Sequence, residues 1–128
     1  MLIVKSIQDK KLQEEYCRIC AAEYTERNFA YSVFDNDEFI GICDFNISSE
    51  GGAIFNLAAK PGCSDLGALE ITGRAVLSFM ENCGVKKAFY HVRTETDKTL
   101  AARMKFKLQA EGVYIANLDG YFDHPCAN

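Results

Sequence analysis

Some segments of this chain have the hydrophobic pattern of a β-strand and others the three-to-four-residue spacing of an amphipathic helix. The first change from one to the other comes close to the N-terminus. A short apolar run, Leu2 to Ile7, predicts a first strand. From Asp9 to Arg27 apolar side chains recur every three or four positions, which predicts an amphipathic helix with Asp9 as its N-cap. The inward positions of this helix are Leu12, Tyr16, Ile19, Cys20 and Tyr24.

Three short strands are predicted after this helix. Phe29 to Phe34 alternates in part, and the polar turn Asp35-Asn36-Asp37 separates it from a second apolar run, Glu38 to Ile47. Two such runs about a tight polar turn are typical of an antiparallel hairpin. After a second turn, Ser48 to Gly52, the run Ala53 to Ala59 extends the hairpin into a meander.

The segment from Ala53 to Gly84 is the most informative part of the chain. Its strand is followed by a Pro-Gly turn within a loop of small residues, Lys60 to Ala68, and then by a long helix that ends at a glycine C-cap, Gly84. The first N–H groups of a helix lack partners and carry the positive end of its dipole, so this order predicts an anion or phosphate site. The helix has its apolar positions at Leu69, Val76, Leu77 and Met80, with Ile71 and Phe79 beside them.

The remaining pattern completes a mixed α/β domain. Val85 to Val92 predicts a buried strand, and Thr94 to Lys107 predicts a basic helix with Leu100, Met104 and Phe106 inward. Val113 to Phe122 predicts a last strand or strand pair. The order is β-α-β-β-β-α-β-α-β, an antiparallel meander followed by a parallel strand-helix-strand unit with a right-handed crossover. We expect a single domain over residues 1–128, because no linker or repeat interrupts the pattern.

Composition and charge narrow the class of protein. The chain is 48% hydrophobic and 25% charged, as in ordinary globular proteins, and its net charge of -4 disfavours a nucleic-acid partner. No apolar run is long enough to cross a membrane, and the N-terminus does not resemble a signal peptide. Six scattered cysteines in segments that form a core without them favour reduced thiols, and hence a cytoplasmic protein.

The strand Ile54 to Ala59, followed by Lys60 and Pro61, resembles the fourth strand of the GNAT superfamily of acyl-CoA-dependent N-acyltransferases, which often ends in valine-x-proline. Ala59 stands at the valine and Pro61 at the proline. The resemblance extends over nearly the whole chain, because the order of elements also matches. It implies an acetyl-CoA cofactor in a cleft between the fourth and fifth strands.

In that family the loop after the proline carries an Arg/Gln-x-x-Gly-x-Gly/Ala pattern whose N–H groups hold the pyrophosphate of coenzyme A. Alignment on Pro61 brings Ser64 to the Arg/Gln position, Gly67 to the first glycine and Leu69 to the second. Ser64 is a candidate helix cap. Asp65 is either a charge that opposes a bound polyphosphate or an acid that stabilises its own helix dipole. The residues that the resemblance implies around the cofactor are Leu57, Ala58, Ala59, Gly62, Cys63, Ser64, Asp65, Leu66, Gly67, Ala68 and Thr94.

A second family landmark follows the fifth strand: an asparagine, then Ala-x-x-x-Tyr on the helix, then Gly-Phe. If Phe106 is matched to the last residue, Lys105 takes the place of the glycine and Ala101 that of the tyrosine. Asp97 then stands at the alanine and Thr94 at the asparagine. The tyrosine that often protonates the departing thiolate in the family is therefore absent on this alignment.

The candidate catalytic side chains each have a structural alternative. Asp44, Glu50 and His91 are candidate bases, and Asp44 either faces solvent or lies in a cleft with a raised pKa. A hydrogen-bonded structural role is the alternative for His91. Tyr90, Tyr114 and Tyr121 are candidate general acids, or residues of ordinary packing. Asn56 is the polar residue expected nearest the acceptor, or an outward-facing strand residue.

A metal site is the weaker interpretation of the cysteines. Cys17 and Cys20, together with His124 and Cys126, have the residue types of a four-ligand zinc site. Because the first two fall within a helical pattern, free core cysteines are favoured and no metal is expected.

Two functions follow from the resemblance. The first is an acetyl-CoA-dependent N-acetyltransferase acting by direct transfer on a small-molecule or peptide amine. The second is a non-catalytic binding or regulatory protein of the same fold that has lost the cofactor. A homodimer through an exposed late strand, Tyr114 to Phe122, is compatible with the sequence.

Overall fold

A seven-stranded mixed sheet forms the centre of the structure, a computed structural model that describes residues 1–122. The strands are β1 (Leu2–Ser6), β2 (Phe29–Asp35), β3 (Glu38–Ser48), β4 (Gly51–Ala59), β5 (Lys87–His91), β6 (Lys107–Ala110) and β7 (Val113–Asn117), and the helices are α1 (Lys10–Ile19), α2 (Leu66–Asn82) and α3 (Glu95–Arg103). The strand order is β1-β2-β3-β4-β5-β7-β6, with β4 and β5 parallel and the other neighbours antiparallel. The predicted fold class is confirmed.

The N-terminal meander forms as the sequence pattern predicts. Asp35 pairs with Glu38 across a two-residue turn in which Asn36 and Asp37 have φ of 49° and 72°. Positive φ at both central residues is the geometry of a type I′ turn, which matches the twist of the strands it joins. Asp9 caps α1, and its side chain accepts a hydrogen bond from the Lys11 N–H.

Helix α1 ends at Ile19, eight residues before the predicted end. The Ala22 N–H donates to the Cys17 carbonyl and the Ala21 N–H to the Arg18 carbonyl, while Ala21 has a φ of 56°. These two bonds form a Schellman motif, which normally has glycine at the left-handed position. Because alanine takes that position here, the sequence carries no stop signal.

Helix α3 also ends in a Schellman motif without glycine. Phe106 donates to Ala101 and Lys105 to Ala102, with Lys105 at a φ of 66°, so α3 stops at Arg103 rather than Lys107. Strand β6 therefore occupies a segment predicted as helix. Lys105 stands where the family has glycine, and it adopts the conformation that glycine takes most readily.

The late strands also differ from the prediction. Strand β7 ends at Asn117 and pairs with β5 on one side and β6 on the other. The strand edge expected for dimerisation between Tyr114 and Phe122 is therefore not free, and β1 and β6 are the edges of the sheet. The possibility of a homodimer stays a prediction.

Helices cover both faces of the sheet. Ile42 on β3 packs with Cys17 of α1 and with Cys20 just after it, whereas Cys43, the next residue, belongs to the larger core with Leu77 of α2. Successive strand residues point to opposite faces, so α1 and α2 lie on opposite sides. No helix within residues 1–122 has both the length and the apolar character needed to cross a membrane.

Strands β4 and β5 separate soon after they meet. Their pairing runs only from Gly52 with Ala88 to Ile54 with Tyr90, while β4 continues to Ala59. Asp44 and Phe45 on β3 face Asn56 and Ile54, so Phe55 is an extra residue in β4. Such a bulge bends its strand. It lies where β4 leaves β5, and a gap opens beyond it.

Candidate functional site

A cleft of about 560 Å³ occupies the gap between β4 and the loop that follows β5. Its walls come from the end of β4, the loop before α2, the start of α3 and the end of α1. The lining residues are Cys20, Ala21, Asn56, Leu57, Ala58, Ala59, Cys63, Ser64, Leu66, Leu69, Arg93, Thr94, Thr96 and Asp97. Most of this surface is apolar, with polar groups concentrated where α2 and α3 begin.

The Lys60–Cys63 turn directs the chain from β4 into α2. Pro61 occupies the second position, Gly62 the third with a φ of 89°, and the Cys63 N–H donates to the Lys60 carbonyl at 3.0 Å. Proline followed by a residue with positive φ is the signature of a type II turn. The turn brings the start of α2 to the mouth of the cleft.

Asp65 is the N-cap of α2. Its Oδ1 accepts a hydrogen bond from the Ala68 N–H at 3.0 Å, and its carbonyl accepts from Leu69. The prediction of Ser64 as the cap is therefore wrong, because the next residue fills that role. Asp65 is an acid that stabilises its own helix, and its negative charge lies at the end that would face a phosphate.

Backbone donors remain at this helix start. The N–H groups of Ser64, Leu66 and Gly67 have no acceptor within residues 1–122. They are the groups that an anion at a helix N-terminus uses. A lysine does not assist them directly, because Lys60 pairs with Glu38 at 2.8 Å.

The residues predicted to hold the cofactor differ in whether they line the cleft and in whether their backbone N–H group is free. The cleft is lined by Leu57, Ala58, Ala59, Cys63, Ser64, Leu66 and Thr94. Gly62 and Gly67 are exposed in the same turn and helix start. Ala68 is fully buried and its N–H is already bonded to Asp65, so it has no free donor.

Thr94 and Asp97 form a capping box at the start of α3. The Thr94 hydroxyl accepts from the Asp97 N–H at 3.0 Å, and Asp97 Oδ2 accepts from the Thr94 N–H. Asp97 Oδ1 also accepts from the Tyr90 hydroxyl at 2.8 Å. Burial, together with the Asp97 charge, raises the pKa of Tyr90, and the ring is fully buried. The Tyr90 hydroxyl is thus buried and hydrogen-bonded to Asp97, so it is not available in the cleft as a general acid.

Arg93 reaches across the gap between the diverging strands. Its Nη1 donates to the Phe55 carbonyl at 2.9 Å and to Asn56 Oδ1 at 3.1 Å. The sequence pattern did not predict a role for this residue. An arginine directly after a predicted strand and before a helix cap is a weak signal, because nothing in the pattern shows that it turns toward β4.

Asp44 is completely buried, so the solvent-facing interpretation is wrong. Both carboxylate oxygens accept from Asn56 Nδ2, at 3.1 and 3.0 Å, and Cys17 Sγ lies 3.9 Å from Oδ2. Burial raises the pKa of Asp44 to about 6, against the opposing effects of the Asn56 hydrogen bonds and the Arg93 charge. Asp44 does not line the cleft. It reaches the cleft only through Asn56, which lines the cleft, and the position of Asn56 nearest an acceptor stays a prediction.

The other candidate acids and bases lie away from the cleft walls. His91 stacks on Phe55 with ring centroids 4.8 Å apart, and burial followed by the Arg93 charge lowers its pKa. Glu50 precedes β4 and so lies at the opposite end of that strand. Tyr114 pairs with Tyr90 within the sheet, and the Tyr121 hydroxyl donates to the Met104 carbonyl at 2.6 Å. Within residues 1–122 these four side chains do not line the cleft.

Cys17 and Cys20 are buried in and just after α1, and burial raises the pKa of both thiols to about 12. His124 and Cys126, the other residues of the zinc alternative, lie outside the described residues. Within residues 1–122 no group of three His, Cys, Asp or Glu side chains is arranged to hold a metal ion.

Several solved structures resemble this fold. A ribosomal-protein alanine N-acetyltransferase from Escherichia coli superposes with a TM-score of 0.70 at 16% identity, over 90% of this chain and 91% of its own. The PaiA N-acetyltransferase from Thermoplasma acidophilum, in complex with coenzyme A, gives 0.65 at 13% identity, over 90% and 96%. The AtaT–AtaR complex bound to DNA gives 0.66 at 15% identity, over 93% and 96%.

The sequence matches no family model and no curated protein. At 16% identity or less, the likeness to the three structures is one of fold, and it confirms the GNAT fold that the sequence resemblance implied. DNA belongs to the AtaT–AtaR complex, and the absence of a nucleic-acid partner for this chain stays a prediction.

Proposed function

We propose that this protein is an N-acetyltransferase that uses acetyl-CoA and transfers the acetyl group directly to an amine. The observation that carries the proposal is the cleft between β4 and the loop after β5. Ser64 and Leu66 line it, and their backbone N–H groups, like that of the neighbouring Gly67, have no acceptor among the described residues. A similar structure was solved with coenzyme A. Acetyl-CoA, when bound, would supply the acetyl group as a reactive thioester.

The residues present fit such a cofactor. Ser64, Leu66 and Gly67 would hold its pyrophosphate through their N–H groups, and the apolar side chains of Leu57 and Leu69 would border its arm. The β4 backbone beyond Ile54 has no strand neighbour on the β5 side. Its N–H groups between Leu57 and Ala59 are therefore candidates to polarise a carbonyl oxygen.

Asp44 acts in this scheme as a positioning residue. Because both of its oxygens accept hydrogen bonds from Asn56, it fixes the Asn56 amide, which in turn accepts from Arg93. This chain of contacts connects the buried carboxylate with the cleft wall. It would hold the polar groups at the reacting end in one orientation.

A second candidate function is a non-catalytic protein of the same fold. The Asp65 carboxylate favours it, because this negative charge caps the helix start that a pyrophosphate would approach. Under this alternative the cleft holds another ligand or none.

Thermal unfolding with acetyl-CoA and with CoA separates the two functions. A ligand at a hundredfold excess over its Kd stabilises the folded state by about 2.7 kcal/mol, which for a chain of this length raises Tm by on the order of 10 °C. The Gly67→Leu variant should lose this shift, because its side chain would cover the free N–H groups. A Cβ at Gly67 contacts only Asp65 Oδ1, at 3.3 Å, so the fold should remain intact.

The control is Asn82→Leu at the other end of the same helix, which should keep the shift. No change in Tm at millimolar cofactor would contradict the enzyme proposal and support the non-catalytic alternative. A full shift in Gly67→Leu would show that the cofactor does not use this helix start.

A further inference from the structure

A second concavity, here called the loop pocket, lies where the segment between α1 and β2 meets β3 and β4. It has a volume of about 320 Å³. The side chains that define it are Glu23, Arg27, Asn28, Asn46, Asn56 and Arg93. This volume is at the lower end of the range for small-molecule sites.

The loop pocket adjoins the cleft. Asn56 and Arg93 line both concavities, and Arg93 Nη1 bonds to Asn56 at the shared wall. A molecule in the loop pocket and a group carried at the inner end of the cleft would therefore meet at the Phe55 bulge, where β4 leaves β5. This is the arrangement that a direct transfer between two bound reactants requires.

The base of the loop pocket is held in place by α1. The Asn28 carbonyl accepts hydrogen bonds from Lys10 Nζ at 2.6 Å and Gln13 Nε2 at 3.0 Å. Asn28 is itself buried, and its side-chain oxygen accepts from Asn46 Nδ2 at 3.4 Å. Asn28 and Asn46 are thus fixed before a ligand arrives, which reduces the entropy cost of binding to them.

The charged side chains of the loop pocket indicate which kind of ligand it would bind. Its ionisable side chains are Glu23, Arg27 and Arg93, and none of them forms an ion pair with another residue among 1–122. Arg93 uses Nη1 for its two hydrogen bonds, so Nε and Nη2 have no partner in the described part of the chain. One edge of its guanidinium fork is therefore open, and this edge matches a carboxylate in two parallel hydrogen bonds.

We propose that the loop pocket binds the acceptor of the acetyl group, and that this acceptor is a small amine carrying a carboxylate, as in an amino acid. The proposal rests on the acetyltransferase function proposed above. Arg27 and Arg93 hold the carboxylate, and Glu23 holds the ammonium group. Glu23 is also the carboxylate available there to take the proton that the amine must lose before it can act as a nucleophile.

The same charges disfavour the other common amines. A simple amine or a polyamine is a cation at neutral pH, and two arginines against one glutamate leave the pocket with a net positive charge. A carboxylate on the acceptor cancels its positive charge, so the net repulsion disappears and the carboxylate can pair with an arginine. The preference therefore comes from repulsion of the wrong acceptor as well as attraction of the right one.

Matched acceptors test the proposal. L-Leucine and L-phenylalanine are each compared with the amine that lacks the carboxylate, isoamylamine and phenethylamine, in the presence of acetyl-CoA. The acetylated product is measured by mass spectrometry. We expect kcat/KM to be at least tenfold higher for the amino acid of each pair. Arg27→Gln should reduce that ratio at least fivefold, and Arg18→Gln, an exposed arginine of α1 outside both concavities, should leave it unchanged.

Binding of the same four compounds without cofactor, followed by NMR saturation transfer, keeps this test independent of catalysis. If acetyl-CoA stabilises the protein but both members of a pair react equally, the carboxylate inference is overturned and the acetyltransferase function stands. If acetyl-CoA does not bind and no product forms, the proposed function fails. Amino-acid binding that Arg27→Gln abolishes would then still support the loop pocket as a carboxylate site, and no binding would overturn it.

Discussion

Asp65 stabilises helix α2 as its cap, but its negative charge opposes binding of the proposed cofactor. Helix α2 needs an acceptor for the Ala68 N–H, and the Asp65 carboxylate supplies it at 3.0 Å. A pyrophosphate would need the same helix end free of negative charge. Asparagine caps a helix about as well as aspartate but carries no charge. The two demands can therefore be separated by one substitution.

Asp65→Asn should bind CoA more tightly than the unmodified protein, by about five- to tenfold, because roughly 1 kcal/mol of charge repulsion is removed. Unfolding free energy should change by less than about 1 kcal/mol, since the cap is kept. Isothermal titration calorimetry at low and high salt measures both the gain and its screening. Glu81→Gln, near the other end of α2, is the control with the same charge change. Equal or weaker CoA binding by Asp65→Asn would contradict the expectation.

Asp44 should make stability depend on pH in an unusual direction. Its pKa rises from 3.8 to about 6 on folding, because the carboxyl is buried. Between these two values the folded protein holds a proton at Asp44 that the unfolded chain has released, so the free energy of unfolding falls as pH rises through this window. The loss is on the order of 3 kcal/mol and is complete a little above pH 6.

The Asp44→Asn variant cannot titrate at this position. Its stability relative to the unmodified protein should therefore improve by up to about 3 kcal/mol between pH 4 and pH 7. Urea unfolding at four pH values measures the difference, in which the other carboxylates cancel. The exposed Asp119→Asn serves as the control. Parallel stability curves for Asp44→Asn and the unmodified protein would show that the carboxyl keeps its ordinary pKa when folded.

At the level of the elements, the sequence predicted what depends on local patterns and missed what depends on unusual backbone conformations. Helix α2 ends as predicted because Gly84 takes the left-handed position directly after the C-cap, Cys83. Helices α1 and α3 end early because Ala21 and Lys105 take the same position without a glycine to signal it. The bulge at Phe55 carries no signal in the sequence either. The cleft could be predicted as a location, but Arg93 could not be assigned to its wall.

The close approach of β4 and β5 explains a glycine at the start of β4. Gly51 has a φ of 136°, and a Cβ there would come within 2.6 Å of the Lys87 carbonyl on β5. Gly51→Ala should therefore lower the free energy of unfolding by about 2–4 kcal/mol. Gly62→Ala is the matched control, because its φ is 89° but no atom lies within 4 Å of the added Cβ.

Urea unfolding of both variants measures how much the steric contact with the Lys87 carbonyl lowers the free energy of unfolding. Gly62→Ala should lose only the cost of backbone strain, about 1–2 kcal/mol. If the two variants were equally stable, the contact between Gly51 and β5 would not be the cause.

At the scale of the whole molecule, the five cysteines within residues 1–122 differ in exposure, and the buried ones lie on both faces of the sheet. Cys17 and Cys20 are buried on the α1 face and Cys43 on the α2 face, whereas Cys63 is half-buried and Cys83 exposed. Burial raises the pKa of the three core thiols, and only the thiolate reacts readily. Among these five, native protein should therefore react with iodoacetamide at Cys63 and Cys83 first.

In increasing urea, the three core thiols should become reactive at one common midpoint, because the sheet between them is a shared wall of both cores. Peptide mapping by mass spectrometry follows each cysteine separately. Labelling of Cys17 and Cys20 at lower urea than Cys43 would show instead that the α1 face opens independently.

The short junction between β4 and β5 has a consequence for how the protein is made. Strands β2 to β4 are joined by short turns, but Gly52 must find Ala88 across the whole of α2. During synthesis the meander is complete before β5 leaves the ribosome, so β4 waits with its second edge uncovered. An uncovered strand edge readily pairs with other chains. We expect the nascent chain to be most prone to aggregation during this interval, which ends only when β5 pairs with β4.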